Sequence, residues 1–136
     1  MKYLLDTDTL IYVFKRAGNC LTQLSLHNDS DIAISTIGLF ELEYGMGKSD
    51  NRSKMDSYVA SLCRRYALLD FDRAASLQAG VTRARLHILG TPIGPYDIQM
   101  AGIALAHDLT VVTRNTREFE RVPGLRVKNW YDQSIG

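Results

Sequence analysis

Cysteine is scarce in this 136-residue chain: Cys20 and Cys63 stand far apart, nothing near them resembles CxxC, and His27, His87 and His107 are scattered. These spacings exclude a zinc finger and a disulfide-stapled scaffold. Two free, mostly buried thiols in a reducing compartment are expected instead. Long apolar runs are missing as well. No stretch approaches the ~20 residues of a membrane span, and Asp6 interrupts Tyr3-Leu4-Leu5 before it can serve as the core of a signal peptide. The predicted compartment is the cytoplasm. Excess charge of one sign is lacking too: 16 Lys+Arg face 15 Asp+Glu, a net charge of +1. The molecule as a whole is therefore no basic magnet for nucleic acid. Repeats, low-complexity tracts and linkers are absent, which leaves no sign of a second domain.

What remains describes one globular domain over residues 1–136, 46% hydrophobic and 23% charged, able to bury a core without staples. Charge is uneven along it. Residues 1–70 carry eight Lys+Arg against nine Asp+Glu, and residues 71–136 carry eight against six. In the last stretch Arg114, Arg117, Arg121, Arg126 and Lys128 outnumber Glu118 and Glu120, a pattern open to phosphate contacts or to a plain solvated surface.

Apolar periodicity alternates strand with helix. Strands are expected over residues 2–6, 31–35, 67–70 and 109–113, with a last short edge strand at 126–128. Thr7 or Thr9 is expected to cap a helix to about Lys15, and a second helical piece runs to about Asn28. Thr36 opens a helix that stops near Gly45 and Gly47. Ser49-Asp50-Asn51 reads as a polar turn, followed by a helix over 52–66. Asp72 caps a helix to about Leu89, ended by Gly90 and Pro92, and Asp97 stands at the start of the next. Strands that alternate with helices predict an α/β fold: a short parallel sheet flanked by helices. Leu39, Phe40, Tyr58 and Val59 are assigned to the core in preference to a dimer surface.

In such sheets functional groups gather outside the carboxyl ends of the strands. Asp6 ends the first strand, Thr113-Arg114-Asn115 ends the fourth, and Asp97 opens the helix that leads into it. Asp6 and Asp97 each have a plainer reading as a helix cap or a favourable charge at a helix start. Glu41 lies inside the apolar run Leu39-Phe40-Glu41-Leu42-Glu43-Tyr44-Gly45, where an unpaired carboxylate is costly to bury. Glu43 lies on another face, so one helix can aim only one of the pair into a cleft, and periodicity does not choose between them. Acids gathered at one point repel one another unless a cation joins them. Mg²⁺ takes oxygen ligands, and with phosphate bound it promotes phosphodiester displacement.

Leu4-Leu5-Asp6-Thr7-Asp8, Phe40-Glu41-Leu42-Glu43-Tyr44-Gly45, Gly94-Pro95-Tyr96-Asp97 and Val112-Thr113-Arg114-Asn115-Thr116-Arg117-Glu118-Phe119 occur in that order. Together they resemble the PIN-domain toxins of type II toxin–antitoxin systems, the VapC-like ribonucleases, over nearly the whole chain. The resemblance implies a small α/β domain that acts as a metal-dependent endoribonuclease. It maps the family acids onto Asp6, Glu41 and Asp97, so selecting Glu41 over Glu43, and implies that Asp6 and Asp97 bind Mg²⁺, with Mn²⁺ as a substitute. Asn115 matches a fourth catalytic position that is often aspartate; an amide there adds no negative charge for a second metal. Asp8 replaces the asparagine of many relatives. The family also implies a homodimer, neutralisation by a cognate antitoxin in a hetero-oligomer, and an RNA substrate. The Gly-Pro-Tyr-Asp and Asn-Thr-Arg-Glu-Phe segments look most like the subgroup that cuts initiator tRNA in the anticodon region. Arg114, Arg117 and Arg121 are then expected to bind substrate phosphates.

Two alternatives compete. A haloacid-dehalogenase-like phosphatase would use Asp6-Thr7-Asp8, but the threonine or valine its motif wants is Leu10 here, and no lysine stands where it needs one. A catalytically silent PIN-fold binding module is the other. Intact acids at all three matching positions argue against it.

Overall fold

Alternation along each short apolar strand decides which face of the sheet each side chain covers. The structure, a computed structural model that describes residues 1–47, 50 and 52–135, contains β1 (Tyr3–Leu5), β2 (Ile32–Ser35), β3 (Ala67–Leu69), β4 (Thr110–Val112) and β5 (Val127–Lys128). They pair in parallel in the order β3-β2-β1-β4-β5. Leu4, Ala33 and Val111 enter the core on one face, and Leu5, Ile34 and Val112 on the other. Strands buried on both faces need helices on both, which is the α/β architecture expected.

Helices α1 (Thr7–Lys15), α2 (Cys20–Ser25), α3 (Thr36–Gly47) and α4 (Arg52–Arg65) send Leu10, Leu24, Leu42 and Leu62 to the second of these faces. Helices α5 (Arg73–Ile88), α6 (Pro95–His107) and α7 (Thr116–Phe119) send Leu86, Ile103 and Phe119 to the first. The strand order reverses direction at β1. Chain segments after β1 lead to β2 on one side, while β4 joins on the other, so a crevice opens beyond the carboxyl ends of β1 and β4. No helix among the described residues is long and apolar enough to cross a membrane.

Several expectations need correction. The cap of α1 is Asp6, not Thr7 or Thr9: its Oδ1 accepts from the Thr9 N–H at 2.8 Å. The second helix ends at Ser25 rather than near Asn28, and a 3₁₀ turn at Asp29–Asp31 leads into β2. Cys63 is exposed, because Leu62 takes the core side of α4 and the next residue turns away; Cys20 is buried. Phe40 is 51% exposed, since Leu42 and Met46 take the core face of α3. Leu39, Tyr58 and Val59 are half-buried against the core. Of the expected turn Ser49-Asp50-Asn51, Ser49 and Asn51 lie outside the described residues. The short helix α7 was not anticipated.

Candidate active site

Asp6 leaves the sheet at the reversal point. Its N–H donates to the Val112 carbonyl of β4 at 3.0 Å, which ties the residue to both central strands. The residue is 6% exposed. Burial pushes its pKa from 3.8 up to about 6, against hydrogen bonds from the Thr113 side chain and from the N–H and hydroxyl of Thr9 that favour the charged form, while the nearby Asp8 raises it further. The same residue therefore caps a helix and holds a charge at the crevice. Asp8 is exposed in the first turn of α1.

Glu41 arrives from α3. Its Oε1 accepts the Thr7 hydroxyl at 2.7 Å, so the half-buried carboxylate is oriented from the first turn of α1. Glu43 is exposed on another face of α3, so the helix aims Glu41 and not Glu43 at the crevice. Asp97 is the third residue of α6, which Pro95 opens in the favoured first position. Burial pushes its pKa from 3.8 up to about 7. A hydrogen bond with Glu118 and the charges of Glu118, Asp6 and Glu41 push the same way. The three expected acids thus come together from the end of β1, from α3 and from the start of α6.

Glu118, whose role the sequence left open, stands beside Asp97. On α7 its Oε1 accepts the Gly94 N–H at 2.6 Å, and its Oε2 accepts the Asn115 side-chain amide at 2.5 Å. Asp97 Oδ2 and Glu118 Oε1 lie 3.5 and 3.6 Å from where a Cβ on Gly94 would stand. The available signal was the i, i+3 spacing of Asn115 and Glu118 beyond a strand end, which puts both on one face once that segment turns helical. Asn115 consequently orients Glu118, and its own N–H is held by the Thr113 hydroxyl at 3.0 Å.

The arginines divide. The Arg114 guanidinium carbon stands over Tyr131, 3.6 Å from the ring centroid, and its Nε lies 3.5 Å from Asp132. Arg121 donates to the Pro92 carbonyl at 2.9 Å, just before the loop that carries Gly94. Arg117 is exposed on α7. Arg126 and Lys128 serve the fold: Arg126 bonds Asp108 at 3.0 Å, and Lys128 sits over Tyr3.

All the acids offer hard oxygen donors, and their mutual repulsion suits a divalent cation. Among the described residues no three of them are drawn to ligand distance around one point. A cation that keeps several waters and takes one or two carboxylates directly, as Mg²⁺ does, fits such a spread donor set.

Comparison with known proteins follows the same lines. The PIN domain profile matches residues 3–125. The chain is 41% identical over 130 residues to the tRNA(fMet)-specific endonuclease VapC of Salmonella typhimurium, covering 96% of this chain and 98% of that protein. It is 38% identical to the protein of the same name from Shigella flexneri, with the same coverage. A crystal structure of DNA-bound VapBC from Salmonella typhimurium superposes with a TM-score of 0.87 at 41% identity, over 96% of this chain and 98% of that one. A match along nearly the whole chain removes the dehalogenase-like alternative.

Proposed function

The chain belongs to the PIN-domain family, and from that premise we propose that it is an endoribonuclease toxin that hydrolyses initiator tRNA in the anticodon region with Mg²⁺ as its cofactor. The observation that carries this reading is the convergence of Asp6, Glu41, Asp97 and Glu118, from four separate elements, at the reversal point of the sheet. Two relatives whose names specify tRNA(fMet) support the substrate.

Asp6 and Asp97 would hold Mg²⁺ or its substitute Mn²⁺, with Glu118 beside Asp97 contributing charge to the same site. Bound there, the cation offsets the phosphate's negative charge and lowers the pKa of water. Glu41, held by Thr7, orients the attacking water and accepts its proton. Asn115 keeps Glu118 turned toward Asp97. Arg114 and Arg121, already fixed by Tyr131 and by the Pro92 carbonyl, are preorganised contacts for phosphates on either side, and Arg117, exposed on α7, is a third.

The protein works in the cytoplasm beside a cognate antitoxin that silences it in a toxin–antitoxin complex, as the VapBC assemblies among its structural relatives suggest, and pairs with a second copy of itself. Incubation with initiator and elongator methionine tRNA transcripts tests the substrate. Cuts confined to the initiator anticodon loop, lost in EDTA, are expected. Equal cutting of both transcripts would refute the specificity, and cutting that survives EDTA would refute the cofactor.

A further inference from the structure

Each of the two helices that bring Glu41 and Asp97 to the site also brings an aromatic ring: Phe40 precedes Glu41 on α3, and Tyr96 precedes Asp97 on α6. The rings meet edge to face with centroids 5.3 Å apart. Both remain open to solvent, Phe40 by 51% and Tyr96 by 43%, and Tyr44, one turn beyond Phe40, is 64% exposed. Together they line a cleft of about 370 Å³ whose remaining wall is Glu41. That volume falls within the ~300–1,000 Å³ typical of small-ligand sites.

Rings of this size usually bury most of their surface. Three left exposed on one face, continuous with an acid cluster, indicate a ligand. The cleft is apolar and aromatic at one end and carboxylate-lined at the other. A nucleotide has the same division: a flat base with two π-faces and a charged phosphate that needs the cation site. Unpaired bases stack on aromatic side chains, whereas bases inside an A-form helix have no free face to offer.

We propose that Phe40, Tyr44 and Tyr96 form a stacking platform for the unpaired nucleobase next to the scissile phosphate. This rests on the reading of the acids as a ribonuclease centre and adds a requirement to it: the nucleotide beside the cut must be single-stranded and splayed out. Since every base has a π-face, the platform selects for strandedness and tolerates base identity. The arginines would supply the complementary, charge-dependent part of binding.

The test uses a hairpin with the sequence of the initiator anticodon stem-loop, with 2-aminopurine in its loop, bound in EDTA by the non-cleaving Asp6→Asn protein. Binding should quench the probe. Adding Phe40→Ala and Tyr96→Ala should remove the quench and weaken binding roughly tenfold to a hundredfold. The salt slope should not change, because the rings neutralise no phosphate. Phe40→Trp with Tyr96→Phe should restore both signals, and a fully paired RNA of equal length should be indifferent to all of these changes. In the chain with Asp6 intact, the alanine pair should raise KM for the transcript more than it lowers kcat. Unchanged quench and affinity in the alanine variant would overturn the platform, even if the native chain cuts RNA. Failure of the native chain to cut any RNA would instead overturn the ribonuclease reading, while the binding series still decides the platform. Sedimentation separates the remaining occupant: a native dimer that becomes monomeric in the alanine variant would make these rings a subunit contact and overturn the proposal.

Discussion

Asp6 is an ionisable group held where ionisation is unfavourable. Its folded pKa of about 6 lies above the ordinary 3.8, because burial outweighs the hydrogen bonds from Thr113 and Thr9. A raised carboxyl pKa means that the folded state prefers the proton, so the ionised group opposes folding above about pH 6 and ceases to do so below about pH 4. At 1.36 kcal/mol per unit the cost is about 3 kcal/mol near neutrality. Asp6→Asn keeps an N-cap for α1 and removes the charge. The metal-free variant should therefore be more stable than the native chain at pH 8, by about 1–3 kcal/mol, while losing cleavage. Denaturant melts of both proteins in EDTA check this, and a less stable variant would contradict it. Asp97, raised to about 7 by burial and by Glu118, extends the same logic to metal binding. Protons compete with the cation, so Mg²⁺ affinity should climb between about pH 6 and 8 with release of protons. Titration calorimetry in buffers of different ionisation enthalpy reads both quantities. Glu118→Gln takes away a neighbouring charge, so it should lower the midpoint of that pH profile as well as the affinity.

Elements position these residues by close packing and by caps. Gly102 sits where α6 crosses α5, and a Cβ there would lie 2.6 Å from the Ala75 carbonyl oxygen and 2.7 Å from the Ala79 Cβ. Backbone cannot swing aside as a flexible side chain can. Gly102→Ala should destabilise the fold by about 1–3 kcal/mol and, by tilting α6, displace Asp97. Thermal melting and RNA cleavage measured together check it; an unchanged melting temperature would contradict the contact. At this scale much was legible in the sequence. The five strands and the longer helices follow from runs such as Leu109-Thr110-Val111-Val112 and from the Asp72 cap, whose carboxylate accepts the Ala75 N–H at 2.9 Å. Asp6 and Asp97 stood out locally as acids at a strand end and a helix start, positions that also suit caps, whereas Glu41 was chosen over Glu43 by the family resemblance, because both acids lie in one apolar helix. The role of Glu118 was not legible, since it depends on Gly94, a contact 24 positions away. Nor was the exposure of Phe40: in a helix as apolar as α3, periodicity does not show which ring the core leaves outside.

The whole molecule carries almost no net charge, yet concentrates acids at the reversal point of its sheet and basic residues in the segment after β4. A near-neutral protein gains little RNA affinity from its overall field, so under the proposed function recognition would rest on local contacts: a cation at the acids, guanidiniums on phosphates and rings on bases. Because Asp6 and Asp97 oppose folding only when ionised, Mg²⁺ should raise the melting temperature more at pH 8 than at pH 5.5. An equal rise at both would contradict the assignment of Asp6 and Asp97 to the cation. The measurement that reaches the central claim most directly is incubation of the purified, antitoxin-free protein with total cellular RNA, with Mg²⁺ or EDTA, beside Asp6→Asn, followed by sequencing of the new ends. Discrete cuts at the initiator anticodon loop that require both the cation and Asp6 are the predicted result. An intact RNA pool from a folded native chain with Mg²⁺ present would contradict it and return the molecule to a silent binding module.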